Sequence, residues 1–379
     1  MKSLIYIFTI LLISINLSAQ QKSNDAYEQL KAGKIDIAKK IIDEAMQEAN
    51  EQYLPKAWFI KGEIYLAIYT TEDAGFKNLH PSPLMEAFES YKKAYQLDEG
   101  KKLLTQIIER QRQLSTLFFN EGVRKYNAKD YANSLKAFES SMMINEQEHI
   151  TKTDTTLYFN AAKAAEQIKA FDKAVQYYKR LIKLHYGGSE TYRMLANVYD
   201  IQGNDQQFIE TVKKGMENFP DTNMKLIALL INHYLASGDL NNAKKYLIMA
   251  IEKEPGNASY YHVIGNIYER EQDFKNAEKN YLKAIELKPD LYDACFNLGV
   301  LYYNNAARSI DAAARLTDKT QYEAEIKRIN SIFEKSAKYY EMALKIKPGD
   351  KEALKALDFI YGRLEMKDKQ AEIQKLLGN

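Results

Sequence analysis

The side chains that most often bind metals or act as nucleophiles are scattered along this chain. No two of its histidines lie four residues apart, the spacing with which one helix presents two imidazoles to a metal. The five are His80, His149, His185, His233 and His262. Cys295 is the single cysteine, which excludes an intramolecular disulfide bond. The sequence therefore predicts no metal site, no cofactor and no catalytic residue.

Phosphate and nucleic-acid chemistry also lack a sequence signature. The glycines of "YGGSE", residues 186–190, lie between two predicted helices rather than after a strand, so they indicate a turn and not a phosphate-binding loop. The chain has 53 Lys and Arg against 51 Asp and Glu. A balance this close to zero provides no basic patch of the size that nucleic acid requires. We expect neither an enzyme nor a nucleic-acid-binding protein.

The first residues form a separate segment. Lys2 precedes the uncharged run "LIYIFTILLISINL", and "SAQ" follows with the small residue Ala19. This order predicts a signal peptide over residues 1–19, with membrane contact only through this segment before cleavage. The alternative is an uncleaved anchor, although the run is shorter than the roughly 20 residues that a spanning helix needs. We therefore expect export to a periplasm or cell envelope.

Helices must position whatever chemistry the rest of the chain performs. In "ASYYHVIGNIYEREQDFKNAEKNYLKAIELKPD", residues 258–290, apolar residues recur at spacings of three and four, which predicts two amphipathic helices. Pro289 closes this unit, and Pro255 and Pro220 close the two before it, 34 and 35 residues apart. Proline cannot continue a helix, so each marks the end of a repeat.

This unit resembles the tetratricopeptide repeat, a helix-turn-helix of 34 residues. The resemblance rests on Tyr261, Gly265, Tyr268, Ala277 and Tyr281, and seven or more units in register carry a similar order. It implies an all-α protein, a right-handed superhelical solenoid of stacked helix pairs. The Lys-, Ile-, Asn- and Tyr-rich composition of the chain looks like that of exported proteins from Bacteroidota-type bacteria.

The predicted organisation is a signal peptide followed by one solenoid of about eight to nine repeats over residues 20–379. Its special segments are an insert loop at 69–82, an extended helical hairpin at 305–335 and a C-terminal cap at 351–379. In the hairpin both helices are expected to lengthen, with Thr317–Lys319 as the turn. Ser82 and Pro83 read as the N-cap and first residue of the helix after the insert loop.

The family resemblance also implies where a partner binds. "FNEGVRKYN" at 119–127 and "FNLGVLYYN" at 296–304 repeat Phe, Asn, Gly, Val, Tyr and Asn at matching positions of two first helices. In such repeats the first helices line a concave groove, and ligands contact residues beside the close-contact slot that Gly122 and Gly299 occupy here. The predicted groove residues are Phe119, Val123, Tyr126, Asn127, Phe159, Lys163, Arg193, Asn197, Asn232, His262, Asn266, Phe296, Tyr303 and Asn304.

Two alternatives remain open at this point. The groove aromatics either anchor a partner or fill gaps between neighbouring first helices. The Lys, Asn and Arg set with which some relatives hold a C-terminal carboxylate is incomplete, because Glu352 and Ala356 occupy the positions of its last members. The family resemblance and the predicted signal peptide together imply an exported, non-catalytic adaptor that binds an unknown protein or peptide in envelope assembly, secretion or motility. A small-ligand or glycan-binding envelope protein is the alternative, and a pocket near "GFKNLHPSP" would favour it.

Overall fold

The computed structural model describes residues 22–151 and 153–378, and these form helices and connecting turns without a strand. The all-α prediction is confirmed. The chain divides into two compact units, the first ending at Thr211 and the second beginning at Val212. The predicted signal peptide at 1–19 lies outside the described residues. No helix within the described part of the chain has the length and hydropathy needed to cross a membrane.

The first unit is a succession of antiparallel helix pairs. Helix α1 covers residues 22–31 and is the first helix of the first repeat. The other helices are α2 (Ile35–Ala45), α3 (Pro55–Thr70), α4 (Ala74–Lys77), α5 (Pro83–Leu97), α6 (Leu104–Asn127), α7 (Tyr131–Asn145), α8 (Thr155–Gln167), α9 (Phe171–Lys183), α10 (Gly188–Ile201) and the start of α11 (Asp205–Asn218). Within pairs, α3 packs on α5, α6 on α7 and α8 on α9.

The second unit, described by itself, is also a succession of helix pairs. Its helices after the end of α11 are α12 (Met224–Ser237), α13 (Leu240–Lys253), α14 (Ala258–Arg270), α15 (Phe274–Leu287), α16 (Tyr292–Ala313), α17 (Lys319–Ile346), α18 (Lys351–Arg363) and α19 (Lys367–Leu377). Pairs α12–α13, α14–α15, α16–α17 and α18–α19 pack internally, and each pair also contacts the next.

Several pairs are held by close approach of their two helices at one small residue. A Cβ atom on Gly265 would lie 2.7 Å from the ring of Tyr281, so only glycine lets α14 and α15 approach this closely. In the first unit, a Cβ atom on Gly62 would likewise lie 2.5 Å from the ring of Tyr91. The apolar stripes predicted from the 3.6-residue period therefore face each other across these contacts.

Aspartates start several second helices. Asp130, Asp239 and Asp273 each accept a hydrogen bond from the backbone N–H three residues ahead, which belongs to an asparagine in every case. The same asparagine donates its side-chain amide back to the aspartate, and this bond holds the pKa of each carboxyl below its ordinary value. This cap fixes where the turn ends and the second helix begins.

The hairpin is built from two unequal helices. Helix α16 has 22 residues against 13 in α14, and α17 has 28 against 14 in α15. The predicted turn at Thr317–Lys319 is displaced, because Asp318 is the N-cap and Lys319 is the first residue of α17. Residues 314–318 connect the two helices.

The insert loop contains a short helix that the sequence did not predict. Asp73 accepts a hydrogen bond of 2.7 Å from the N–H of Gly75 and so starts α4. Ser82 is the N-cap of α5 and Pro83 its first residue, but the Ser82 side chain makes no capping bond. Instead the Ser82 N–H donates to Nδ1 of His80.

Candidate functional site

The predicted groove residues all lie on first helices, and they differ in exposure. Three asparagines, Asn127, Asn232 and Asn304, are exposed, and the others are half-buried. Asn127 is in the first unit, whereas Asn232 and Asn304 belong to the second. The exposed amides are the predicted groove groups most accessible to a partner.

The groove aromatics contact rings of their own unit. Phe119 lies 5.8 Å from Phe138, and Tyr126 lies 5.1 Å from Tyr131, measured between ring centroids. Phe159 is 6.1 Å from Tyr186. These rings fill space between helices while part of each stays accessible. The structure therefore gives them a packing role, and their role in binding stays a prediction.

Charged groups in the first unit gather around Glu166. The hydroxyl of Tyr178 donates to this carboxylate, and Lys163 lies 3.6 Å from it. Arg193 is engaged elsewhere, since its guanidinium donates to the carboxylate of Glu190. Lys163 and Arg193 are thus already paired within the chain, whereas Asn197 and Val123 are half-buried without a charge of their own.

In the second unit the structure brings His262 and Asn266 together with Asn297. The Asn297 amide donates to Oδ1 of Asn266 at 2.9 Å and to Nε2 of His262 at 3.1 Å. The Tyr281 hydroxyl lies 2.6 Å from the same Oδ1 and 2.7 Å from a carboxylate oxygen of Glu269, so its one proton is shared between two acceptors. Three consecutive helices, α14, α15 and α16, therefore supply every group of this polar cluster.

Burial keeps the His262 imidazole neutral. It lowers the pKa of His262, although the Asp293 carboxylate acts in the opposite direction. A neutral ring whose Nε2 accepts from Asn297 carries its proton on Nδ1, which is then a donor. The cluster thus combines amide and imidazole donors with carbonyl-type acceptors, the pairing that hydrogen-bonds a peptide backbone.

Two members of an aromatic cluster at the last repeat, Phe333 and Phe359, were missing from the predicted groove, whereas the third, Tyr303, was predicted. Tyr303 lies 5.7 Å from Phe333 and 5.6 Å from Phe359, while Phe333 and Phe359 are 6.0 Å apart. The guanidinium of Arg363 lies over Phe333, 5.3 Å from the ring centroid. Phe359 directly follows Asp358 at the close-contact slot, so it occupies the register position that Asn266 has in α14. That register is the signal that could have found it.

Phe296 and Val300 extend this apolar surface along α16. Phe296 stacks on Tyr292 at 5.7 Å and meets the edge of Tyr340 at 5.5 Å. Val300 is half-buried and packs against the same hydrophobic cluster as Tyr303. The first-helix face of the second unit therefore passes from a polar end at His262 to an apolar end at Phe359.

The insert loop borders an open cleft of about 540 Å³ in the first unit. Tyr69 and Thr70 from α3, His80 from the loop, and Glu121 and Arg124 from α6 are among its lining residues. Arg124 donates to Glu121 through Nε at 3.0 Å and through a terminal nitrogen at 2.6 Å. This cleft, with polar groups beside the ring of Tyr69, is a pocket of the kind that the glycan-binding alternative requires.

Nothing in the described part of the chain forms a group of three or more metal-binding side chains. Cys295 is completely buried, and burial raises the pKa of its thiol. A buried thiol with a raised pKa behaves as a small apolar core residue.

Comparison with known proteins agrees with a helical-repeat protein. The tetratricopeptide repeat model matches residues 155–184, which contain α8 and α9, and residues 258–291, which contain α14 and α15. No curated protein matches the chain. These two matched repeats support the tetratricopeptide repeat family.

Solved structures with similar folds were also found. A tetratricopeptide repeat protein of Bacteroides fragilis is 23% identical over 65% of this chain and 98% of its own, with a TM-score of 0.32. The C-terminal part of one from Cytophaga hutchinsonii is 16% identical over 68% and 93%, with a TM-score of 0.44. YrrB, described as having an unusual peptide-binding site, is 15% identical over 47% and 88%, with a TM-score of 0.35.

Proposed function

We propose that this chain is an exported, non-catalytic adaptor that binds a protein or peptide through the faces of its first helices. The observation that carries the proposal is the exposure of Asn127, Asn232 and Asn304 on those helices, beside aromatic rings that are only half-buried. An exposed amide contributes little to packing, but it can hydrogen-bond a partner's backbone.

The setting proposed for this adaptor is a periplasm or cell envelope of a Bacteroidota-type bacterium. The apolar run after Lys2 and the small residue Ala19 support export. Envelope assembly, secretion and motility are processes that use a non-catalytic scaffold there. The scattered histidines and the buried Cys295 support a role without catalysis.

Crosslinking of the mature protein in its own envelope tests the adaptor function. Asn127→Ala, Asn232→Ala and Asn304→Ala remove exposed amides and leave the helix cores intact. Asn241→Ala is the matched control, because Asn241 is exposed on the second helix α13. We expect the first three changes to lower the yield of the crosslinked partner and the control to leave it unchanged.

A double variant tests the more buried part of the same face. Phe296→Ala combined with Asn266→Ala should weaken capture while circular dichroism shows unchanged helicity. If capture in all of these variants equals that of the wild type, the first-helix faces are not the binding surface.

The cleft at the insert loop favours a second candidate function, the binding of a glycan. Its volume lies within the usual range for ligand pockets, and Tyr69, Glu121 and Arg124 offer a ring and planar hydrogen-bonding groups. Calorimetric titration with cello-, xylo- and chito-oligosaccharides tests this candidate. Saturable binding that Tyr69→Ala abolishes and that Tyr53→Ala, on an exposed tyrosine outside the cleft, preserves would support it.

A further inference from the structure

We propose that the partner segment held by the second unit carries an acidic side chain next to an apolar one. The carboxylate pairs with Arg363, and the apolar side chain packs on Phe359 and Tyr303. This inference rests on the proposed adaptor function and specifies the chemistry that one part of its face selects.

The apolar half of the site is the exposed edge of an otherwise buried aromatic cluster. Phe333 is completely buried and anchors the cluster, while Phe359 remains 48% exposed in spite of its contacts with Phe333 and Tyr303. Exposed aromatic rings that are fixed by buried neighbours lose little conformational freedom on binding. Phe359 therefore offers a rigid surface for an aliphatic or aromatic side chain.

The charged half of the site is a guanidinium without an acidic partner. Three lysines of the last two repeats are paired, with nitrogen-to-oxygen distances of 3.0 Å for Lys355 and Glu352, 2.8 Å for Lys347 and Asp350, and 2.9 Å for Lys369 and Glu341. Within residues 22–151 and 153–378, Arg363 forms no ion pair, and its buried Nε has no hydrogen-bond partner.

An unpaired arginine above an aromatic ring is suited to one particular ligand group. A guanidinium presents its N–H groups as a planar fork that matches a carboxylate, and that of Arg363 lies over the ring of Phe333. Because Nε is buried, a partner's carboxylate pairs with the terminal nitrogens of this half-buried side chain. Charge and geometry therefore select a carboxylate at this position.

The structure favours an acidic side chain within an extended segment over a C-terminal carboxylate. The set of side chains with which some relatives hold a terminal carboxylate is incomplete in this chain, since Glu352 and Ala356 occupy the positions of its last members. A single guanidinium beside an apolar surface instead matches one Glu or Asp flanked by one apolar residue.

Fluorescence anisotropy with three labelled decapeptide pools tests the inference. Pool one has an amidated C-terminus and a central Glu next to Leu, Phe or Val. Pool two has Gln in place of Glu, and pool three has Gln and a free C-terminal carboxylate. We expect pool one to bind about tenfold more tightly than pool two, the size of effect that one charged hydrogen-bonded pair gives, with pool three resembling pool two.

Variants of the protein test which side chains cause the preference for the Glu-containing peptides. Arg363→Gln should remove the difference between pools one and two, Arg363→Lys should retain part of it, and Phe359→Ala should weaken both pools. Arg308→Gln is the matched control, since Arg308 also lies over a phenylalanine ring, that of Phe274, and is exposed outside this cluster. Circular dichroism and thermal unfolding verify that each variant is folded.

Several results would overturn the inference. These are equal binding of pools one and two, no binding of either, tighter binding of pool three, or an unchanged preference in Arg363→Gln. The envelope crosslinking distinguishes this failure from failure of the adaptor function. If the pools fail while Asn304→Ala still lowers crosslinking, the adaptor function stands and only the acidic-segment inference is lost.

Discussion

The hydroxyl of Ser336 donates a hydrogen bond of 2.8 Å to the backbone carbonyl oxygen of Gly299. The hydroxyl of Ser134 makes the same bond, also of 2.8 Å, to Gly122. These glycines are the centres of the two repeated sequence phrases. Other pairs, such as α14 and α15, have Ala277 at the position of the serine. The two phrases therefore belong to helix pairs that share one serine-to-carbonyl hydrogen bond at the close-contact slot.

Replacement of these serines tests what the contact contributes. We expect Ser336→Ala to lower the free energy of unfolding by about 1 kcal/mol, because a buried hydrogen bond is lost while the carbonyl keeps its place in the helix. Hydrogen exchange of α16 and α17 should increase, and exchange in α12 and α13 should not. Unchanged exchange in α16 and α17 would show that alanine serves equally well there, as Ala277 does in its own pair.

The two glycines predict different responses to alanine. A Cβ at Gly122 would lie 2.5 Å from the ring of Phe138, whereas one at Gly299 would lie 3.1 Å from the ring of Tyr340. Gly122→Ala should cost about 1–3 kcal/mol through overpacking. Gly299→Ala should be near neutral, since the tighter contact is offset by a gain in helix propensity of about 1 kcal/mol. Urea unfolding of both variants measures the difference, and an equal loss would contradict it.

Periodicity in the sequence was sufficient to predict most of the helices, though not α1 or the short α4, because one stripe of apolar residues must face a neighbour in each. It also located the close-contact slots, since Gly265 and Ala277 are small residues in a regular order of large ones. The lengths of the two hairpin helices were harder to predict, because the position of the turn depends on where Asp318 caps α17.

The candidate site was only partly predictable, because its contacts join residues far apart in the chain. His262 and Asn266 were expected on one face, but their bonds to Asn297 depend on how α14 packs on α16. Tyr303 was predicted, but Phe359 was missed because it lies in a predicted cap, where an exposed ring has no expected partner. Only its neighbours Tyr303 and Phe333 show that it is held in place.

Acid should destabilise the last repeat through Asp350. Its carboxylate accepts from Lys347 at 2.8 Å and from the N–H of Ala353 at 3.0 Å, capping α18. These bonds, the one from Lys347 first, lower the pKa of Asp350 to about 2. A depressed pKa in the folded state means that the stabilisation is complete above the unfolded value of about 3.9 and is lost as the pH falls toward about 2.

Two variants separate this effect from that of the other carboxylates. Asp350→Ala should lose about 1 kcal/mol at about pH 7, and Asp350→Asn should lose less because asparagine is also a good N-cap. Both should show a smaller decline in urea midpoint than the wild type as the pH falls from about 4 to about 2. A decline equal to that of the wild type would assign the acid sensitivity to other groups.

Titration of His262 tests the polar cluster of the second unit. Burial lowers its pKa, so the folded state holds a neutral imidazole whose stabilisation is complete above the unfolded value of about 6.5 and decreases as the pH falls below it. Asn297→Ala removes the amide that donates to Nε2 at 3.1 Å, so the pKa should rise toward the ordinary value. Asp293→Asn removes the carboxylate that favours the charged ring, so the pKa should fall further. Nuclear magnetic resonance of the imidazole measures the pKa of His262 in both variants. Shifts of opposite sign indicate specific loss of the hydrogen bond or of the charge. A general loosening of the fold would instead raise the pKa in both variants.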